Sequence, residues 1–131
     1  MSQPIQVLVT KPFARWMRKS KVSPSEIVAA AHEMVQGLID VNLGGYLFKK
    51  RVALGGRGKS AGARTIVATK FEQRWIFLFG FEKNERSNID ATELKVLQEL
   101  ASTLLDLDAQ ALSVALSSGQ LIELKENSDD H

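Results

Sequence analysis

The chain of 131 residues contains no cysteine and no long hydrophobic segment. The absence of cysteine excludes disulfides and thiolate metal sites and fits a reducing compartment, so we expect a cytoplasmic protein. No apolar run approaches the roughly 18 residues of a membrane span. The two histidines, His32 and His131, are far apart in the sequence, which argues against a histidine metal site. We therefore expect no metal, no cofactor and no membrane association.

The small net charge of +2 combines two halves of opposite sign. Residues 1–86 hold 15 basic and 6 acidic residues, whereas residues 87–131 hold 2 basic and 9 acidic residues. Such asymmetry is typical of a nucleic-acid-binding protein with an acidic appendage. It is equally typical of a solvated basic face beside an acidic helical end, so charge alone leaves both interpretations open.

The N-terminal part of the sequence predicts a strand followed by a helical hairpin. Ile5–Thr10 is a short β-branched run, and the apolar residues of Phe13–Met17 recur at helical spacing. Ser23–Glu26 is a capping box with proline at the first helical position. We expect the helix that follows to continue until Gly44-Gly45. Its predicted buried stripe contains Ile27, Ala30, Ala31, Met34, Leu38 and Val41.

The middle of the chain predicts three strands, Tyr46–Leu54, Arg64–Lys70 and Arg74–Phe81. The third is apolar at nearly every position, which indicates a central strand covered on both faces. Phe71–Gln73 is a tight connection, so we expect the last two strands to form an antiparallel hairpin.

The C-terminal part predicts two helices. Asp90 begins a second capping box, and Asp108 caps a shorter helix that ends at Gly119. Gln120–Leu124 is a candidate final strand. The predicted fold class is α+β, with an N-terminal strand and helical hairpin, a small mostly antiparallel sheet and C-terminal helices.

Residues 53–60, Ala-Leu-Gly-Gly-Arg-Gly-Lys-Ser, resemble a phosphate-binding P-loop. A true P-loop opens a helix, because the amides at the helix N-terminus bind the phosphates. Here the composition of the following residues, Ala61–Ala68, is that of a strand, so we reject nucleotide hydrolysis. The glycine-rich loop can still bind a phosphate through Arg57, Lys59 and its backbone amides.

A cluster of basic residues is predicted around the three middle strands. Lys49 and Arg51 share one strand face, Arg64 begins the neighbouring strand, and Lys83 and Arg86 follow the third. Five cations on one sheet face would repel each other without an anion between them.

Another interpretation is that cations protect a sheet edge against aggregation, which would explain Lys50 and Lys70. No nucleophile–histidine arrangement is visible. An enzyme built from this sequence would therefore act without a metal, through lysine and arginine.

Three segments resemble the RelE/HigB-type toxins of bacterial type II toxin–antitoxin systems. They are Lys49–Ala53, Gly58–Arg64 and Gly80–Ile89, and their order and spacing match over residues 5–107. The resemblance implies a microbial-ribonuclease-like sheet with an N-terminal helical hairpin. It also implies that residues 1–107 form the toxin domain. Residues 108–131 would then be an acidic C-terminal helical extension and tail.

The resemblance implies a ribosome-dependent mRNA endonuclease that stops translation. Such a toxin cuts mRNA in the ribosomal A site through attack of a ribose 2′-hydroxyl on the adjacent phosphate. Its partners are the ribosome, mRNA and a cognate antitoxin, which we expect to be of the helix-turn-helix type. Two alternatives stay open: a non-enzymatic RNA- or ribosome-binding protein (a degenerate toxin), and a module that binds only the antitoxin.

By the same resemblance, the candidate catalytic residues are Arg64, Lys83 and Arg86. The candidate phosphate-binding residues are Lys49, Arg51, Lys59 and Arg57. Arg64 is expected to stabilise the transition state, and Lys83 to donate a proton or bind a phosphate.

Neighbouring residues have secondary expectations. Glu85 is a candidate base, although a role in orienting Arg86 or Lys83 is favoured. Phe81 or Trp75 is a candidate for stacking on a base, the favoured alternative being that both rings belong to the core. Some relatives use a tyrosine near the chain end, whereas the only tyrosine here is Tyr46. The acid–base assignment therefore stays open. We also hypothesise that the acidic extension competes with RNA for the basic surface, the alternative being a solvated acidic end.

Overall fold

The computed structural model describes residues 4–54, 62–85 and 88–125. Within these ranges six strands form one sheet and four helices cover it. The strands are β1 (Gln6–Thr10), β2 (Val41–Gly44), β3 (Leu47–Val52), β4 (Ala63–Thr69), β5 (Arg74–Glu82) and β6 (Leu121–Leu124). The helices are α1 (Lys11–Ser20), α2 (Pro24–Val35), α3 (Ala91–Leu105) and α4 (Ala109–Ser117).

The strand order in the sheet is β2-β3-β4-β5-β1-β6. The pairing of β1 with β5 is parallel, and every other pairing is antiparallel. The apolar strand β5 lies inside the sheet and forms the expected hairpin with β4. The predicted α+β class with a mostly antiparallel sheet is therefore confirmed.

Side-chain alternation along the strands divides the core between the two sheet faces. In β1, Val7 and Val9 pack with α1 and α2, whereas Leu8 belongs to the opposite core. That second core lies under α3 and includes Ile66 and Ala101. The helical hairpin and the C-terminal helices thus cover opposite faces of the sheet.

The second helix is shorter than predicted. It ends at Val35, because Gly37 adopts a left-handed φ of 95°. The amide of Gly37 donates to the carbonyl of Met34, and that of Leu38 donates to Glu33, which is the pairing of a Schellman motif. Leu38 is consequently exposed and not part of a buried stripe.

The strand β2 was not predicted. Val41, which the helical pattern placed on α2, instead pairs with Lys49 of β3 and is exposed. The following turn uses Gly44 and Gly45 at positive φ. The side chain of Gln98 donates to the Leu43 carbonyl and thereby holds this edge against α3.

The capping signals are confirmed. Ser23 and Asp90 each form a reciprocal capping box, and the Asp108 side chain accepts from the amide of Ala111. The predicted final strand is also present as β6, which pairs with β1 at the sheet edge opposite β2. Leu121 of this strand is buried.

Candidate nucleic-acid interface

Two rows of side chains cross β3, β4 and β5 on the face that α3 covers. In one row Arg51 lies opposite Arg64, and Arg64 lies opposite Phe81. In the next row Lys49 lies opposite Ile66. Directly opposite residues have Cβ atoms about 5 Å apart. The sheet register therefore brings three of the predicted cations, Lys49, Arg51 and Arg64, onto one surface, which we call the cation surface.

Lys49 forms a hydrogen bond with a residue that lies just before the N-terminus of α3. Its Nζ donates to Oδ1 of Asn88 at 3.3 Å, and the same oxygen accepts from the amide of Ile89 at 2.9 Å. Because Asn88 stands just before the capping box of α3, the helix start and the β3 cation are tied together.

Arg51 forms an ion pair with a residue that lies just before β2. Its Nε donates to Oδ2 of Asp40 at 3.2 Å. The Arg51 side chain is 47% exposed, and that of Asp40 is 21% exposed. The described contact is thus made at Nε, the guanidinium nitrogen next to the aliphatic part of the side chain.

Arg64 differs from the other two cations. It is half-buried, and its Nη1 is buried without a hydrogen-bond partner among the described residues. An unpaired buried donor costs about 1–3 kcal/mol. The described residues therefore compensate this cation less than they compensate Lys49 or Arg51.

Gly62 determines how closely β4 approaches β3 beside Arg64. A Cβ at this position would lie 2.1 Å from the carbonyl oxygen of Val52. No side chain can be accommodated at that distance, so glycine is required for the strands to meet here. The glycine of the Gly-Ala-Arg segment thus has a packing role in the site.

Lys50 does not protect a sheet edge, and that interpretation is wrong. The added strand β2 makes β3 an interior strand, and alternation turns Lys50 toward α2. Its side chain is 4% exposed, and its Nζ lies 2.7 Å from Oε1 of Glu33. The carbonyl of Lys50 also accepts from the Thr65 hydroxyl at 2.9 Å. Lys50 is a buried ion-pair residue on the face opposite the cation surface.

Lys83 is exposed in the turn that follows β5. The described contacts of Glu85 hold that same turn, since its Oε1 accepts from the amide of Glu82 at 2.9 Å. Its Oε2 lies 3.5 Å from Nζ of Lys19 on α1. Three further predicted site residues, Arg57, Lys59 and Arg86, lie outside the described residues.

The expected stacking residues belong to the core. Phe81 and Trp75 are buried, so the core interpretation of both rings is confirmed and the stacking alternative is wrong. Trp75 donates its ring N–H to the carbonyl of Glu72 at 3.0 Å. The ring of Phe79, 6.0 Å from that of Phe81, is the partly buried aromatic of this strand end.

Sequence reasoning missed two residues that contact the cations, Asp40 and Asn88. Asn88 lies inside the family-like segment Gly80–Ile89, so the sequence did indicate that it is close to the site. Asp40 lies in a stretch assigned to α2, and nothing in the local pattern indicated an arginine partner.

The described ranges contain no cluster of His, Asp or Glu able to hold a metal ion. Their longest helices are also too short or too polar to cross a membrane.

The fold and the cation surface together define a small α+β protein with a basic sheet end suited to a polyanion. The model of a family described as RelE toxin of RelE / RelB toxin-antitoxin system matches residues 5–124. The protein therefore belongs to the RelE toxin family and is a toxin of a toxin–antitoxin system, and the predicted resemblance is confirmed. No curated protein matches the sequence significantly.

Proposed function

We propose that this toxin is a metal-independent endoribonuclease that cuts mRNA in the A site of the translating ribosome and thereby stops translation. The observation that most strongly supports this proposal is that Arg51 and Arg64 lie directly opposite each other on neighbouring strands. Like charges so placed destabilise a sheet, and a bound phosphate would reverse that effect. The unpartnered Nη1 of Arg64 supports the same interpretation.

The proposed reaction is an internal transesterification. The ribose 2′-oxygen loses its proton and forms a bond to the adjacent phosphorus, while the bond to the 5′-oxygen breaks and that oxygen gains a proton. The products are a 2′,3′-cyclic phosphate and a 5′-hydroxyl. Such a step needs in-line positioning and stabilisation of negative charge on the phosphorane, which cations provide.

In this proposal Arg64, Lys83 and Arg86 are the catalytic residues. Lys49, Arg51, Lys59 and Arg57 bind the RNA phosphates. Arg64 stabilises the phosphorane, for which its half-buried position is favourable because solvent screens a buried charge less. Lys83 is exposed in the turn after β5, and in this proposal it donates a proton to the leaving oxygen or binds a phosphate.

The partners in this proposal are the ribosome, mRNA and an antitoxin of the helix-turn-helix type, acting in the cytoplasm. The proposed toxin domain, residues 1–107, contains all seven proposed site residues but depends on the extension to complete its sheet. Residues 108–131 form the acidic extension, within which β6 completes one edge of the sheet.

Expression of the chain without its antitoxin tests the proposal. We expect growth arrest, relieved by Arg64→Ala and by Lys83→Ala while both variants remain folded. The matched control is Lys95→Ala on the exposed surface of α3, which we expect to leave the arrest unchanged. Full toxicity of both site variants would show that the site is assigned wrongly. Arrest and salt-dependent ribosome binding without any mRNA cut would favour the non-enzymatic alternative.

A further inference from the structure

The three consecutive cations of β3 each have a partner from a different part of the chain. Lys49 bonds to Asn88 before α3, Lys50 to Glu33 of α2, and Arg51 to Asp40 before β2. Of these three described contacts, the one with Asp40 joins a carboxylate to a residue of the cation surface. Asp40 is therefore the described acidic residue best placed to control how that surface meets a phosphate.

We propose that Asp40 is a positioning residue that holds the Arg51 guanidinium in the orientation needed for RNA cleavage; this inference rests on the function proposed above. The described hydrogen bond joins Asp40 to Nε at 3.2 Å, and in this proposal the terminal nitrogens contact the phosphate. Two parallel N–H groups of a guanidinium form the bidentate contact that phosphate oxygens accept. Asp40 thus restricts the side chain without occupying the part that binds the substrate.

The neighbours of Arg51 explain why it needs such a partner. On the β4 side it faces Arg64, whose like charge repels it. On the α2 side a cleft of about 110 Å³ adjoins Arg51 and is lined also by Glu26 and Glu33. Without Asp40, repulsion from Arg64 and attraction to these carboxylates would both turn Arg51 away from the cation surface.

The proposal predicts that binding and cleavage respond differently to Asp40→Asn. The variant has one negative charge fewer, so its affinity for ribosomes carrying mRNA should be equal to or higher than that of the original protein. Its single-turnover cleavage rate should fall about 10- to 100-fold, the effect expected when a binding group is misplaced by about 1 Å. A merely structural role would instead reduce both quantities in proportion to the unfolded fraction.

The experiment measures both quantities on purified ribosomes programmed with a defined mRNA. Binding is measured with a 2′-deoxy nucleotide at the scissile position, which cannot react, and cleavage with the ordinary mRNA. Asp40→Glu should recover part of the cleavage rate. Asp106→Asn is the matched control, because Asp106 pairs with Lys70 at 3.0 Å beyond the far ends of β4 and α3 and should change neither quantity.

A double-mutant cycle completes the test. In an Arg51→Ala background, Asp40→Asn should have no further effect on the cleavage rate. Normal cleavage by Asp40→Asn, or faster cleavage, would overturn the inference, as would an equal additional loss in the Arg51→Ala background. Failure of the original protein to cleave under any condition would instead contradict the proposed function, so the two failures are distinguishable.

Discussion

Arg64 has the central chemical role in the proposed reaction, although the described structure gives its Nη1 atom no hydrogen bond. Arg51 lies opposite it and adds like-charge repulsion. Both effects oppose folding and both would be relieved by a bound phosphate. Residues of this kind trade stability for activity.

We predict that Arg64→Met separates stability from activity. The methionine keeps the length of the side chain but removes the charge, so the free energy of unfolding should stay the same or rise by up to about 1 kcal/mol. The cleavage rate should fall about 100-fold or more. Thermal unfolding and single-turnover cleavage measure the two effects.

Arg15→Met on the exposed surface of α1 is the control for that comparison and should change neither quantity. A clear loss of stability in Arg64→Met would mean that the arginine is primarily a structural residue.

Lys50 illustrates a residue whose role depends on an element that the sequence did not predict. Strand alternation correctly separated Lys50 from Lys49 and Arg51. The interpretation as an edge residue failed because β2, formed by residues assigned to a helix, covers that edge. The contact with Glu33 then follows from packing between α2 and β3, which no local pattern encodes.

We predict that Glu33→Ala lowers the free energy of unfolding by roughly 3 kcal/mol, because it leaves the buried ammonium of Lys50 unpaired. The double variant Glu33→Ala with Lys50→Met should recover much of that loss, since it removes the buried charge as well. Urea denaturation measures both. Glu99→Ala, on the exposed face of α3, should change stability by less than about 0.5 kcal/mol. If Glu33→Ala changed the free energy of unfolding as little as Glu99→Ala does, the assigned role of the ion pair would be refuted.

At the scale of elements, the hairpin of β4 and β5 helps to fix the C-terminal end of α3. The last turn of α3 contains no basic residue of its own. Arg74 instead donates to the carbonyls of Leu104 and Leu105 at 2.8 and 3.1 Å. The hydrogen bond to Asp106 and the charge of that carboxylate raise the pKa of Lys70. This contact therefore contributes at pH values below the ordinary lysine pKa and is lost only as the pH rises through the raised value.

The sequence predicted elements well wherever a local signal begins or ends them. The capping boxes at Ser23 and Asp90 and the apolar run of β5 are examples. It failed between Val35 and Gly44, where apolar residues continue at helical spacing although Gly37 has already ended the helix. Tertiary pairing with β3 decides the conformation there. Periodicity therefore misassigned Leu38 and Val41.

A further prediction concerns Gly62, the residue that precedes β4. Gly62→Ala would place a Cβ against the Val52 carbonyl and force β3 and β4 apart beside Arg51 and Arg64. We expect a stability loss of about 1–3 kcal/mol together with a loss of cleavage per folded molecule.

Gly80→Ala is the matched control for Gly62→Ala. Its Cβ would meet the ring of Trp16 at 2.5 Å, on the face opposite the cation surface. This variant should lose stability while each folded molecule remains active. Equal activity per folded molecule in both glycine variants would contradict the role of Gly62 in the site.

At the scale of the whole molecule, the acidic residue of β6 is far from the cation surface. The cations Arg51 and Arg64 lie on β3 and β4, whereas Glu123 lies on β6 at the opposite edge. Three strand spacings, about 14 Å, separate β4 from β6. That distance exceeds the Debye length of about 8 Å at physiological salt, so Glu123 has little influence on RNA at the cation surface. The six residues after Lys125 lie outside the described residues.

We predict that truncation after Leu107 severely destabilises the protein in comparison with truncation after Lys125. The longer deletion removes β6, including the buried Leu121, and unpairs one edge of β1. Thermal unfolding of the two truncated proteins is the measurement. Stable folding of residues 1–107 alone would contradict this assignment of β6.

The shorter truncation is also the appropriate variant for the hypothesis that the acidic end competes with RNA. A higher affinity for programmed ribosomes after removal of residues 126–131 would support competition. An unchanged affinity would favour a solvated acidic tail.

Primer-extension mapping on actively translated mRNA tests the central claim most directly. The proposal predicts cuts inside codons, in register with the ribosomal A site, that leave a 5′-hydroxyl on the downstream fragment. These cuts should disappear when translation is blocked and when the Arg64→Met variant replaces the original protein. Translational arrest with intact mRNA, or equal cutting by Arg64→Met, would contradict it.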